Sequence, residues 1–300
     1  MNKIFSILPS DITVATFATF GSSTKYRDYT AMHTEMSKRC FRGGVPLLTY
    51  SFKECSSPNI DTVSRFYPMR KGAGYWAWKP ELIKKALFES STRYLLYLDV
   101  DLRVRRLDSL MVDPSFAETG VALFETRENL SDWCSKRCLR RFKLPRQGAE
   151  KIFSASAILI DSKMGQAIDF LDIWDRSLRD YRLTLDPVFT FNTNHRHDQS
   201  VLSCLIATSQ INTGKFAQGF YQTGVDNGDQ TIDSAWLIHG EVRSDEYLAI
   251  SSRLKAWRSL IFHKYELANY IVSKFGAFLW LIILKKSAQG RHGTHPNDIH

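Results

Sequence analysis

"RYLLYLDVD", Arg93 to Asp101, decides how this chain folds. Tyr94 through Leu98 form an unbroken apolar run, and a strand that is apolar on both faces belongs inside a mostly parallel sheet covered by helices on both sides. The run ends in two carboxylates, Asp99 and Asp101. In sheets of that kind ligands sit beyond the carboxyl ends of the strands, where strand order reverses. On extended chain, residues two apart point to the same side, so the spacing predicts that both carboxylates reach one cation or its water shell.

The neighbouring segments agree with that sheet. "ITVATFATF" from Ile12 reads as a strand, Tyr26 to about Cys40 as a helix, and "VPLLTYSF" from Val45 as a second strand. "PELIKKALF" sets Leu82, Ile83, Ala86 and Leu87 on one helical face, with Pro80 suited to a first turn. Strand and helix alternate as far as Asp101, which predicts an α/β fold with right-handed crossovers and a mostly parallel sheet flanked by helices. Further strands are expected at Gly120 to Thr126 and Ser154 to Ser162, the second followed by the helix "GQAIDFLDIWDRSLRDY". "DPVFTFNTNHRHDQSVLSCLI" reads as a loop entering a helix near Asp198.

No repeat or low-complexity linker interrupts the chain before about residue 245, so residues 1–245 are expected to form one catalytic domain and 246–300 a helical tail. In that tail Leu254, Trp257, Leu260 and Ile261 share a helical face among Arg253, Lys255, Arg258 and Lys264. The ten apolar residues Phe275 to Leu284 follow, and Lys285 and Lys286 close the stretch. A helix of that length covers roughly 15 Å, about half a bilayer core, which is too short to span. The pattern suits an anchor lying in an anionic membrane interface, or else a helix packed on the domain's own core.

With 300 residues, 44% hydrophobic and 13% aromatic, the composition excludes a disordered protein. Forty Lys and Arg against thirty-one Asp and Glu leave a net charge of +9, which favours phosphates, acidic membranes or nucleic acid as partners. "MNKIFSILPS" carries no secretory signal, so the chain is expected to be cytoplasmic, on the inner membrane face if the tail anchors it. The five cysteines, at 40, 55, 134, 138 and 204, are then expected to be reduced and to serve packing. Cys134 and Cys138 stand at i,i+4, but two thiols without a second Cys/His pair make a poor zinc site.

Three stretches carry candidate chemistry. Carboxylates such as Asp99 and Asp101 suit Mg2+ or Mn2+, hard cations that take carboxylate and phosphate oxygens together and neutralise a departing diphosphate. In "KGAGYWAWKPELI", Gly72 and Gly74 permit close backbone approach, while Tyr75, Trp76 and Trp78 offer rings to a base or sugar. Lys79, just before a helix, can meet an anion there. The same aromatics equally suit a core-anchoring cluster. In "HRHDQS", Asp198 suits a general base, a partner with Gln199 for sugar hydroxyls, or a helix N-cap, with His197 beside it as a substrate contact. His239 in "WLIHGE" can complete a metal site as a neutral imidazole. Phe17 and Ala18, ending the first strand, are candidates for nucleotide contact by the strand-end rule.

"GYWAWKPELI", "YLLYLDVD" and "HRHDQSVLS" resemble, in that order, motifs of bacterial glycosyltransferases of the GT-A type from capsule and lipopolysaccharide biosynthesis, which read G-x-G-Y-W-x-W-K-P, Y-L-D-x-G and H-R-x-D-Q-S. The chain is also similar to retaining galactosyltransferases of the lipooligosaccharide kind, in which a D-x-D, an Asp-Gln pair and a His follow in the order Asp101, Asp198, Gln199, His239. The resemblance implies a nucleotide-diphospho-sugar donor, a divalent cation at Asp99 and Asp101, and a glycan or lipid-linked glycan acceptor. Relatives often carry Gly where this chain has Asp101, which leaves open the carboxylate that meets the metal. A D-x-D phosphotransferase of the haloacid-dehalogenase kind begins from a similar strand, but wants Thr or Val where this chain has Arg103. A noncatalytic nucleic-acid- or membrane-binding protein would use the basic run "KRCLRRFKLPR", though no nucleic-acid recognition module accompanies it.

Overall fold

The structure, a computed structural model, describes residues 4–18, 29–51, 75–104, 110–184, 195–217, 220–222 and 237–239. All lie within the first of two compact units, Met1–Glu241. Gly74 and the tail 246–300 fall outside the described residues. The chain runs β1 (Phe5–Ile7), β2 (Ile12–Phe17), α1 (Thr30–Arg42), β3 (Leu47–Tyr50), α2 (Lys79–Glu89), β4 (Tyr94–Leu98), β5 (Leu102–Val104), β6 (Leu110–Val112) and β7 (Val121–Asn129). It continues through α3 (Lys136–Arg141), β8 (Lys151–Asp161), α4 (Gly165–Arg179), α5 (His197–Ala207), β9 (Gly214–Lys215), β10 (Phe220–Gln222) and β11 (Leu237–His239), with shorter helical turns between. Among the described residues no helix is long and apolar enough to cross a membrane.

The main sheet has six strands in the order β3-β2-β4-β8-β7-β9. β2 pairs parallel with β3 and β4, and β7 parallel with β9, while β8 runs antiparallel to both its neighbours. The expected α/β architecture is therefore present, with β8 as an antiparallel insertion. Apolar periodicity locates strands but does not report their direction, because either direction buries both faces here.

Strand period sorts the core into two layers. Leu95 and Tyr97 join Ala15, Leu123, Ile158 and Ile160 against Leu82 and Ile83 of α2, Phe170 and Trp174 of α4, and Val201 and Leu205 of α5. Leu96 and Leu98 face the other way with Val14, Ala122, Phe124 and Leu159, against Met36 and Cys40 of α1. The β4–β8 register is held at its far end by Arg93, whose Nε and Nη2 grip the buried Asp161 carboxylate at 3.2 and 2.7 Å. Tyr94 pairs with Asp161 in that register.

Gly120 closes the helical turn Phe116–Thr119 with a φ of 69°. A Cβ there would stand 2.5 Å from Met164 Cβ, at the approach to α4. Gly120→Ala is expected to lower stability by about 2 kcal/mol or more, from left-handed strain of ~1–2 kcal/mol plus the clash. Urea denaturation followed by far-ultraviolet dichroism measures this, and a loss under ~0.5 kcal/mol would contradict the tight approach.

Candidate active site

The alternation that sends Leu95 and Tyr97 toward α2 and α5 also carries Asp99 to that side, just past the end of β4. The first residue of α2 is Lys79, and the second residue of α5 is Asp198. Lys79 Nζ lies 3.2 Å from Asp99 Oδ1, 3.3 Å from Asp99 Oδ2 and 2.9 Å from Asp198 Oδ2, and donates to the Ala155 carbonyl at 3.2 Å. The Tyr97 hydroxyl donates to Asp99 Oδ1 at 2.7 Å. One ammonium thus joins the three stretches that the sequence singles out.

The cluster is nearly dry: the side chains of Lys79, Asp198 and Asp99 are 2%, 7% and 19% exposed. Burial pushes the Asp198 carboxyl up to about 6, against the opposing pull of Lys79. Burial disfavours the charge on Lys79, but Asp198 and Asp99 together outweigh it and hold the ammonium above its ordinary range. Burial and then the Asp99 charge keep the Tyr97 phenol well above its usual value. Above pH of about 6 the cluster carries two negative charges and one positive, a residual charge of −1. Asp198 Oδ2 is itself buried, 2.9 Å from the Lys79 ammonium.

Asp101 stands in a different arrangement from the one its spacing predicts. Leu102 N–H donates to Asp99 O at 3.0 Å, closing a tight turn over residues 99–102 instead of continuing extended chain. The reason is topological, because at this corner the chain leaves the six-stranded sheet and enters the smaller β10-β11-β5 sheet. Antiparallel pairing of β5 with β11 sets the His239 backbone opposite Leu102, the residue after Asp101. The His239 side chain is outside the described residues.

The aromatic residues divide by burial. Tyr75 and Trp78 are 1% and 4% exposed and belong to the core, as the packing alternative anticipates, whereas Trp76 is half-buried. Phe17, at the end of β2, packs on Trp78 with ring centroids 4.2 Å apart, and Ala18 beside it is buried, its N–H bonded to Tyr50 O. His197 meets Tyr75 edge-on at 4.6 Å and stacks on Trp76 at 5.9 Å. Tyr75 and Trp76 have φ of 59° and His197 of 41°. Left-handed backbone costs an L-residue ~1–2 kcal/mol and concentrates where function fixes a loop.

The start of α5 is tied down by its histidines. Ser135 N–H donates to His195 Nδ1 at 3.3 Å, so the ring proton sits on Nε2 and goes to Leu183 O at 2.8 Å. His197 Nδ1–H donates to Thr184 O at 2.8 Å. Trp174 Nε1–H donates to Asp198 O at 3.3 Å. Asp198 lies inside the first turn, not at the N-cap, which is Arg196. Gln199 N–H bonds Arg196 O at 2.9 Å, and its side chain is half-buried. Lys79 is likewise committed to internal carboxylates rather than presented to solvent. Sequence reasoning missed Tyr97 and Trp174. The period of two along β4 puts Tyr97 on the Asp99 side and could have found it.

No protein-family model matches this chain, and no curated protein matches it. Among solved structures it is similar to a glycosyltransferase involved in the glycosylation of the major capsid of PBCV-1. The two are 14% identical, the match covers 80% of this chain and 98% of the other, and the TM-score is 0.39. Likeness of that degree assigns no activity to this chain.

Lys79→Met would leave two buried carboxylates facing each other, and stability near neutral pH should fall by ~3–5 kcal/mol. The loss should shrink as pH falls and Asp198 takes a proton, which in this variant happens at higher pH than in the wild type because the opposing pull of Lys79 is gone. In the wild type, the raised Asp198 pKa means that the native state binds this proton more tightly than the unfolded chain does. Its stabilising contribution is therefore complete below the ordinary carboxylate pKa, near 4, and is lost as pH rises through about 6. Urea titrations across that window should show a slope that Asp198→Asn removes.

Proposed function

We propose that this protein is a glycosyltransferase of the GT-A type, moving a sugar from a nucleotide-diphosphate donor to a hydroxyl of a surface polysaccharide, lipopolysaccharide or lipid-linked glycan. The observation that carries the reading is the Lys79–Asp99–Asp198 cluster. It unites the three motif-bearing segments beyond the carboxyl end of β4, where α/β sheets hold ligands. The acceptor class rests on the motif resemblance.

The donor set fits a hard divalent cation, since Asp99 and Asp101 offer carboxylate oxygens on one turn and the β5–β11 register brings the His239 backbone alongside. Asp101, with Asp99 and His239, would hold Mn2+ or Mg2+, which neutralises charge on the departing nucleoside diphosphate. Lys79 and Tyr97 hold the Asp99 carboxylate and so fix the turn that carries Asp101.

Transfer breaks the bond from the anomeric carbon to the diphosphate oxygen and forms one to the acceptor oxygen, whose proton leaves with the diphosphate. The anomeric carbon passes through an oxocarbenium-like state. The residual negative charge of the cluster suits that developing positive charge. Asp198, buried and paired with Lys79, is better placed as a fixed charge than as a mobile base. Gln199 beside it orients the sugar, the half-buried Trp76, backed by the buried His197, offers a ring face, and Phe17 and Ala18 end the strand expected beneath the nucleotide.

A thermal-shift panel of nucleotide sugars with and without manganese tests the reading. One or two donors should stabilise the protein only when metal is present, and Asp101→Ala should abolish the shift. Turnover should fall about tenfold per pH unit below about 6 as Asp198 is neutralised. No shift with any donor would sink the assignment.

A further inference from the structure

The sequence suggests that Cys134 and Cys138 lack partners for a metal site, but the fold supplies a third thiol. Cys134 follows the helical turn Leu130–Trp133, Cys138 lies in α3, and Cys204 lies in α5. Cys134 Sγ is 3.6 Å and Cys138 Sγ 3.9 Å from Cys204 Sγ, and all three sulfurs lie within 4.8 Å of one another. All are buried, at 8%, 0% and 0% exposure.

We propose that Cys134, Cys138 and Cys204 form a closed structural site for one zinc ion, separate from the Asp99–Asp101 turn and independent of the activity proposed above. Four thiolates or imidazoles surround zinc tetrahedrally at ~2.3 Å for sulfur, so two ligand sulfurs stand roughly 3.8 Å apart. The observed 3.6 and 3.9 Å match that edge with no backbone movement. They far exceed the ~2.05 Å of a disulfide. Binding releases each S–H proton to solvent, leaving three thiolates around a dication. Cys138 shares α3 with the basic residues Lys136, Arg137, Arg140 and Arg141, a run which the proposed transfer chemistry leaves unused.

The fourth ligand is His195. Its neutral ring presents the unprotonated Nδ1 to Ser135 N–H, next to Cys134, while Nε2–H donates to Leu183 O. Ligating histidines are typically oriented by such a bond from the second nitrogen. His195 is not grouped within 4.8 Å of all three sulfurs, so it closes the site only when its ring moves inward. The ion would pin α5 to α3, and Asp198 stands in the first turn of that same α5.

The test uses the full-length chain purified without chelator. Elemental analysis should find about one zinc per chain. Cobalt exchanged into the site should give intense thiolate-to-metal charge-transfer absorption and tetrahedral ligand-field bands. Cys138→Ala and Cys204→Ala should lose both the ion and the cobalt bands, whereas Cys40→Ala, in the opposite core layer, should keep them. Chelation should lower the melting temperature of the wild type but not of the ligand variants. Should the variants fail to fold, the cobalt spectrum and chelator shift of the wild type decide. A metal-free chain showing only hydrated cobalt, or a Cys134–Cys204 disulfide in mass spectra of the unreduced protein, would overturn the proposal. Neither result would touch donor binding.

Discussion

Taking the Lys79 ammonium out of water costs several kcal/mol, and only close carboxylates can offset that penalty. Asp99 and Asp198 do so from two different elements, and the Ala155 carbonyl accepts a further N–H. These partners come from the end of β4, the first turn of α5 and the body of β8, while Lys79 itself opens α2. The ammonium therefore sets the relative positions of four elements, and a shift of any one would strand a buried charge. Such an arrangement contributes less to net stability than to a single permitted geometry.

That geometry has a chemical consequence. Two carboxylates and one ammonium do not cancel, and the low local polarity that raises the Asp198 pKa also strengthens the field of the remaining charge. Around it the backbone is strained at Tyr75, Trp76 and His197. Rings stacked on one another and histidine bonds to Leu183 and Thr184 hold that strain in place. The sheet strand β4 and the tied-down start of α5 hold the cluster in a preorganised arrangement. Fixed dipoles and charges are most effective when they need no reorganisation.

The thiol cluster sits behind the same helix. Cys204 faces Cys134 and Cys138 from α5, so the segment bearing Asp198 is held by the ammonium on one side and by sulfur contacts on the other. Nothing in the local order of Cys134 and Cys138 foretells this. A third thiol that arrives from a distant helix is invisible to spacing.

Much of the fold was legible beforehand because periodicity is a local property. The apolar run Tyr94–Leu98 marked a doubly covered strand, and Leu82, Ile83, Ala86 and Leu87 marked the buried face of α2. The same period of two would have assigned Tyr97 and Asp99 to one side. Strand direction was not legible, since β8 buries both faces whether parallel or antiparallel. Nor was the turn at Asp99–Leu102, which exists because β5 finds its partner in β11 far along the chain. By itself, the sequence determined which segments carry charge and aromatic rings and which face of each element seeks the core. Only the tertiary structure decided that Lys79 pairs inward with Asp99 and Asp198, because a buried charge selects its partners by what remains within a few ångströms once water is gone.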